Sequence, residues 1–129
     1  MAFTAGGSKP IYLQLSEWLE TEILSGNIAA DEKIYSQYQL AEMFNINPAT
    51  AARSLNILAD EDTLYKKRGL GMFVSPAAGA IIRQKRREQI LERLVRELVK
   101  EARLLDLSAS ELEAMITAAQ NREMEEGKR

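Results

Sequence analysis

The chain has 129 residues, enough for one domain or for a small domain with an appendage. Its 46% hydrophobic and 28% charged residues are those of a chain that packs a core, and a net charge of −2 excludes a uniformly basic coat for nucleic acid. With neither cysteine nor histidine it has no disulfide, no thiolate and no imidazole, so most nucleophilic, general-base and transition-metal chemistry is excluded.

Residues 1–9, with Gly6, Gly7 and Ser8, read as a flexible arm. Pro10 opens a first helix in which Ile11, Leu15, Trp18, Leu19 and Ile23 recur at helical spacing up to Ser25, and Gly26 stops it. Residues 27–34 read as a loop. Ser36 then caps a short helix carrying Leu40, Ala41 and Phe44. Asn45-Ile46-Asn47-Pro48 supplies a turn, an N-cap and a proline at the first helical position, which predicts a third helix from Pro48 to Asp60 with Leu55 and Leu58 inward.

From Thr63 to Ser75 the pattern becomes extended. Two β-prone runs, Thr63-Leu64-Tyr65-Lys66 and Met72-Phe73-Val74, flank a tip whose Gly69 and Gly71 suit a hairpin turn. Ser75-Pro76-Ala77-Ala78-Gly79 reads as a linker. Beyond it a helix of about 25 residues is predicted from Ala80, roughly 37 Å long, with Ile90, Leu91, Leu94, Val95, Leu98, Val99, Ala102 and Leu105 on one broad apolar face. Ser108 and Glu111 fit a capping box that opens a last helix bearing Leu112, Met115, Ile116 and Ala119.

The predicted fold is mainly α with a small β-hairpin. A winged helix-turn-helix over residues 1–76 is followed by a two-helix dimerisation region over residues 77–129. A helix following such a turn suits the major groove, where base edges carry a unique donor and acceptor code, while the hairpin wing reaches phosphates or the minor groove.

Several stretches resemble the GntR family of bacterial transcription regulators. Pro10-Ile11-Tyr12-Leu13-Gln14-Leu15 is similar to the family's opening helix, Ile23-Leu24-Ser25-Gly26-Asn27-Ile28 to the turn after it, and Arg68-Gly69-Leu70-Gly71-Met72-Phe73-Val74 to its wing. Asn47-Pro48-Ala49-Thr50, with a tail of about 50 residues, resembles the YtrA subfamily. The resemblance implies a homodimeric, operator-binding regulator, often a repressor encoded with transporter genes, whose short tail makes the dimer. There are departures. Tyr35-Ser36-Gln37-Tyr38 stands where the family has Pro-Ser-x-Arg, so an arginine that contacts DNA in the family is replaced by a tyrosine. Ala51 and Ala52 stand where valine and arginine are usual, and Asp60-Glu61-Asp62-Thr63 replaces a Glu-Gly ending.

The DNA-contacting residues expected on these grounds fall in three groups. Asn47, Pro48, Ala49, Thr50 and Arg53 lie on the third helix. Arg53 is the candidate base reader, because its planar fork engages guanine O6 and N7 with two bonds. Lys66, Lys67, Arg68, Gly69 and Gly71 form the wing tip, where cations and unhindered backbone meet phosphates. Tyr35, Ser36 and Tyr38 sit at the start of the short helix, whose free N–H groups favour phosphate oxygens. Plainer readings stand beside these: Asn47 and Pro48 start helices in any protein, a lone exposed arginine such as Arg53 is more often a solvated charge than a base reader, and edge lysines keep hairpins soluble. The cluster Arg83, Lys85, Arg86 and Arg87 is ambiguous: it reads first as a solvated helix face, the commoner meaning of a charge run, with an extension of the DNA-facing surface near the linker as the alternative.

Leu91, Leu94, Leu98, Leu105, Leu112 and Ile116 are assigned to the core or dimer interface, since the long helix has an apolar face with no large element left to cover it. The last helix folding back on it is the intramolecular alternative. No cofactor and no metal is expected. An unidentified small-molecule effector would sit at the dimer interface or between domains. The longest apolar run falls well short of the ~20 residues of a membrane span, and MAFTAGGSKP lacks a basic n-region and an apolar h-region, so a cytoplasmic protein is expected. The competing reading is a winged-helix protein-interaction module that dimerises without specific DNA binding. An enzyme would have to work through carboxylates such as Glu42 or Glu61 alone.

Overall fold

The computed structural model describes Phe3 and residues 8–127, so the arm expected over residues 1–9 lies largely outside the described residues. It forms two compact units, Met1–Arg86 and Arg87–Arg129.

The first unit is built on three helices. Helix α1 (Ile11–Leu24) starts where the Pro10 carbonyl accepts the N–H groups of Leu13 and Gln14, and it buries Leu15, Leu19 and Ile23. Helix α2 (Gln37–Phe44) opens with a reciprocal box: Ser36 Oγ accepts the Gln39 N–H at 3.1 Å, and Gln39 Oε1 accepts the Ser36 N–H at 2.8 Å. Asn45 ends it in the left-handed region at φ +53°, which asparagine tolerates well. Helix α3 (Pro48–Asp60) has the predicted bounds, with Asn47 Oδ1 accepting the Ala49 N–H at 2.8 Å. It buries Ala51, Ser54, Leu55 and Leu58 and packs against both α1 and α2. The buried Ser54 hydroxyl donates to the Tyr12 carbonyl at 2.6 Å, tying α3 to α1.

The wing pairs β1 (Leu64–Lys67) antiparallel with β2 (Gly71–Val74), Leu64 opposite Val74 and Lys67 opposite Gly71. The end of the expected loop over residues 27–34 is instead extended. Ile34 N–H donates to the Met72 carbonyl at 2.9 Å, Val74 N–H to the Glu32 carbonyl at 2.9 Å, and Lys33 pairs with Phe73, so this segment covers the other edge of β2. Such a segment is too short to show a period of two, and its conformation is set by the edge it satisfies.

Helix α4 (Ala78–Arg86) buries Ala78 and Ile82, four residues apart on one face, in the core of the first unit. That unit therefore runs to Arg86, past the expected division after residue 76. The single helix predicted from Ala80 is interrupted: a π-helical turn (Arg87–Leu91) separates α4 from α5 (Glu92–Leu104), and Leu105 caps α5 rather than extending it.

In the second unit, Asp106 turns the chain at φ +55° and Ser108 Oγ accepts the Glu111 N–H at 3.1 Å to start α6 (Ala109–Glu126). Helix α6 does not lie back along α5. Of the described residues here only Ala102 is buried; Leu91, Leu94, Leu98, Leu105 and Ile116 are all exposed and Leu112 is half-buried.

Candidate nucleic-acid interface

The start of α3 stands clear of the core. Asn47, Pro48, Ala49 and Arg53 are exposed and Thr50 is half-buried, while Leu55 and Leu58 point inward as predicted. Arg53 does not hang freely in solvent: its guanidinium carbon lies 3.7 Å from the centre of the Tyr12 ring on α1. This cation–π stack, worth about 0.5–1 kcal/mol at an exposed site, biases the rotamers of a long side chain and with them the direction of its fork.

At the wing tip the Leu70 N–H donates to the Lys67 carbonyl at 2.9 Å, and Gly69 and Gly71 adopt φ of +77° and +107°. Lys66, Lys67, Arg68, Gly69 and Gly71 are all exposed. Lys67 leans over the wing's own aromatic face, with Nζ 4.5 Å from the centre of the Phe73 ring. Below it the Tyr65 hydroxyl donates to Asp31 Oδ1 at 2.7 Å, and that bond to a carboxylate pushes the phenol pKa up.

Tyr35, Ser36 and Tyr38 meet Lys66, Gly69 and Gly71 around one cavity of about 460 Å³. Asn47, Pro48, Ala49, Thr50 and Arg53 lie outside that lining. Two further residues belong to it that sequence reading passed over, Lys33 and Asn56. Asn56 follows Arg53 by three positions on the exposed side of the same helix, a spacing legible in the sequence. Lys33 had no such signal, since the edge pairing that brings it to the wing is tertiary.

The reading of residues 83–87 as a solvated face is corrected for two of its members. Lys85 Nζ donates to Glu20 Oε2 at 3.0 Å and to Glu61 Oε1 at 2.9 Å, and Arg86 donates to Thr21 Oγ1 at 2.9 Å. Glu20 is only 1% exposed and its Oε1 has no hydrogen-bond partner. Burial pushes its carboxyl pKa up, against the pull of Lys85. Lys85 is itself held above its ordinary value, because its bonds to Glu61 and Glu20 outweigh the burial that opposes them. These charges join α1, α3 and α4. Arg83 and Arg87 remain exposed.

A helix-turn-helix with its second helix exposed, followed by a cationic wing, is the fold of a winged-helix DNA-binding domain. The model of the gntR family of bacterial regulatory proteins matches residues 11–74. A crystal structure of a GntR-family transcriptional regulator from Bacteroides thetaiotaomicron superposes with a TM-score of 0.74 at 31% identity, covering 88% of this chain and 99% of that one. The chain belongs to the GntR family. The transcriptional repressor NagR of Bacillus subtilis (strain 168) is 39% identical over 66 residues, which are 51% of this chain and 27% of NagR. The chain thus spans about a quarter of that curated relative. The AraR DNA-binding domain in complex with operator ORX1 superposes with a TM-score of 0.54 at 26% identity, covering 58% of this chain and 95% of that one. Among the described residues no helix is long and apolar enough to cross a membrane.

Proposed function

We propose that the chain is a sequence-specific repressor that binds an inverted-repeat operator as a homodimer in the cytoplasm, and that it belongs with the short-tailed, YtrA-like members of its family. The observation that carries this reading is the exposed start of α3, with the exposed Arg53 one turn on stacked against Tyr12. In this reading Arg53 reads a base edge, Asn47 to Thr50 place the helix start, and Tyr35, Ser36, Tyr38 and the wing residues Lys66 to Gly69 and Gly71 hold the phosphate backbone. The AraR DNA-binding domain, which shares this fold, is in complex with an operator, and that supports DNA binding by this chain.

The apolar stripe of α5 supports the dimer. Leu94, Val95, Leu98 and Val99 on α5, with Leu91 at the end of the π-helical turn before it, are 39–55% exposed in the single chain, so covering the exposed part of each contributes about half of the ~1.5–3 kcal/mol of full burial. A twofold partner offers the same stripe, so one isologous contact covers both. Two copies then present two recognition helices to half-sites about 10 base pairs apart, or a multiple of that.

Selection of bound fragments from a random duplex pool tests all three elements together. The expected product is a palindrome with fixed spacing and salt-sensitive affinity. A pool that emerges without a motif overturns the reading in favour of a protein-docking winged helix.

A further inference from the structure

The cavity of about 460 Å³ lies between the first turn of α2, the middle of α3 and the wing. That volume falls within the range of small-molecule sites. Ile34, Leu55 and Met72 give it an apolar floor, with Ile34 and Leu55 only 3% and 6% exposed. Tyr35 and Tyr38 stand beside the floor, and both are positions where this chain departs from the pattern its family resemblance led us to expect. Lys33 and Lys66 stand at the rim, and no carboxylate of the described residues lines the cavity, although the chain carries more acidic than basic residues.

The position of Lys33 is built by the wing. Its backbone pairs with Phe73, and its stem crosses position 71, where a side-chain carbon would come within 2.9 Å of Lys33 Cε. Any residue but glycine there would push the lysine aside. At the start of α2 the capping box occupies the N–H groups of Ser36 and Gln39, while those of Gln37 and Tyr38 have no acceptor within the helix.

We propose that this cavity binds a small aromatic phosphate monoester, its ring on the apolar floor beside the tyrosines and its head against Lys33, Lys66 and the first turn of α2. Two ammonium groups match the near-dianionic charge of such a phosphate at neutral pH, and lysine binds phosphate as a compact point charge. The regulatory consequence rests on the operator reading above. Tyr35, Ser36, Tyr38, Lys66, Gly69 and Gly71 serve both sites, so ligand and DNA exclude one another and the ligand releases the operator.

The test uses the full chain without DNA, titrated with phenyl phosphate and followed by backbone amide shifts, with inorganic phosphate and phenol as controls at constant ionic strength. Saturable shifts at Gln37, Tyr38 and Gly71 are expected, at concentrations at least about tenfold below those of either control. Lys33→Ala and Lys66→Ala should each weaken binding about fivefold. Shifts that stay linear, or that inorganic phosphate reproduces at the same concentration, overturn the site. Since no DNA is present, that failure leaves the operator reading untouched. Saturation in a chain that selects no DNA motif upholds the site and sinks only the operator reading. Where operator binding is established, phenyl phosphate should displace the duplex in proportion to its occupancy, and undiminished binding at saturation overturns the exclusion.

Discussion

Arg53 and Glu20 show how differently two charged residues are used. Arg53 is exposed and stacked on Tyr12 at 3.7 Å, so its charge is available to a ligand while its direction is biased. Arg53→Ala is expected to cost about 1–3 kcal/mol of discrimination at one base pair of each half-site while leaving affinity for unrelated DNA nearly intact. Binding measured on a set of single-base operator variants checks this, and an unaltered base preference removes Arg53 from the reading surface. Glu20 is the reverse case, a carboxylate taken out of water with Oε1 unpartnered. Burial raises its pKa above the ordinary 4.5, with Lys85 pulling the other way, so the folded chain holds this proton more tightly than the unfolded chain. Its contribution to stability therefore falls as pH rises from about 4.5 through the folded value. Lys85, raised above its ordinary 10.5, stays charged throughout that window and adds no slope of its own. Glu20→Gln is neutral at every pH and should lose the downward slope. Urea unfolding of variant and parent at about pH 4.5 and pH 7 should show their difference moving in the variant's favour at the higher pH. Movement the other way would mean that Lys85 outweighs burial.

Among the elements, α2 and α3 were the most legible, because their starts are written in local chemistry. Ser36 with Gln39, and Asn47 with Pro48, satisfy helix N–H groups through neighbours within three residues. The hairpin was equally plain from its two glycines and flanking β-prone runs. The segment ending at Ile34 was not, since its bonds go to Met72 and Val74, some forty residues away in sequence. The same limit hid the role of Lys85, which depends on Glu20 of α1 and on Glu61 just past the end of α3. The wing carries its own prediction. Replacing Lys66, Lys67 and Arg68 with alanine should flatten the slope of log affinity against log salt by about 0.9 for each phosphate no longer neutralised. Lys67, which leans on Phe73, is expected to contribute least of the three. Isotherms at several salt concentrations decide it, and an unchanged slope assigns the tip a solubility role only.

For the whole molecule, the α5 stripe is the feature that a single chain leaves unexplained. Leu94, Val95, Leu98 and Val99 of α5, with Leu91 just before it, stay more than a third exposed, and α6 does not return to cover them. Leu94→Lys combined with Leu98→Lys places charges in the middle of that stripe. The expected outcome is a particle of 14.5 kDa by light scattering where the parent has twice that mass. Its affinity for a full inverted repeat should drop to that for one half-site. A parent that is already monomeric at micromolar concentration would overturn the dimer.

Local order alone was enough to establish the first three helices, the caps that open α2, α3 and α6, the wing and the apolar stripe of the tail, though not the π-helical break between α4 and α5. Each of these rests on spacing along a helix or strand, or on a side chain bonding its own neighbourhood. Three-dimensional packing had to settle which charges are structural and which are open to solvent, where the first compact unit ends, and which residues meet around the cavity beside the wing. Those outcomes depend on partners far apart along the chain, and no periodicity records them. The burial of Ala78 and Ile82, the pairing of Lys33 with Phe73 and the capture of Lys85 by two carboxylates are all of this kind.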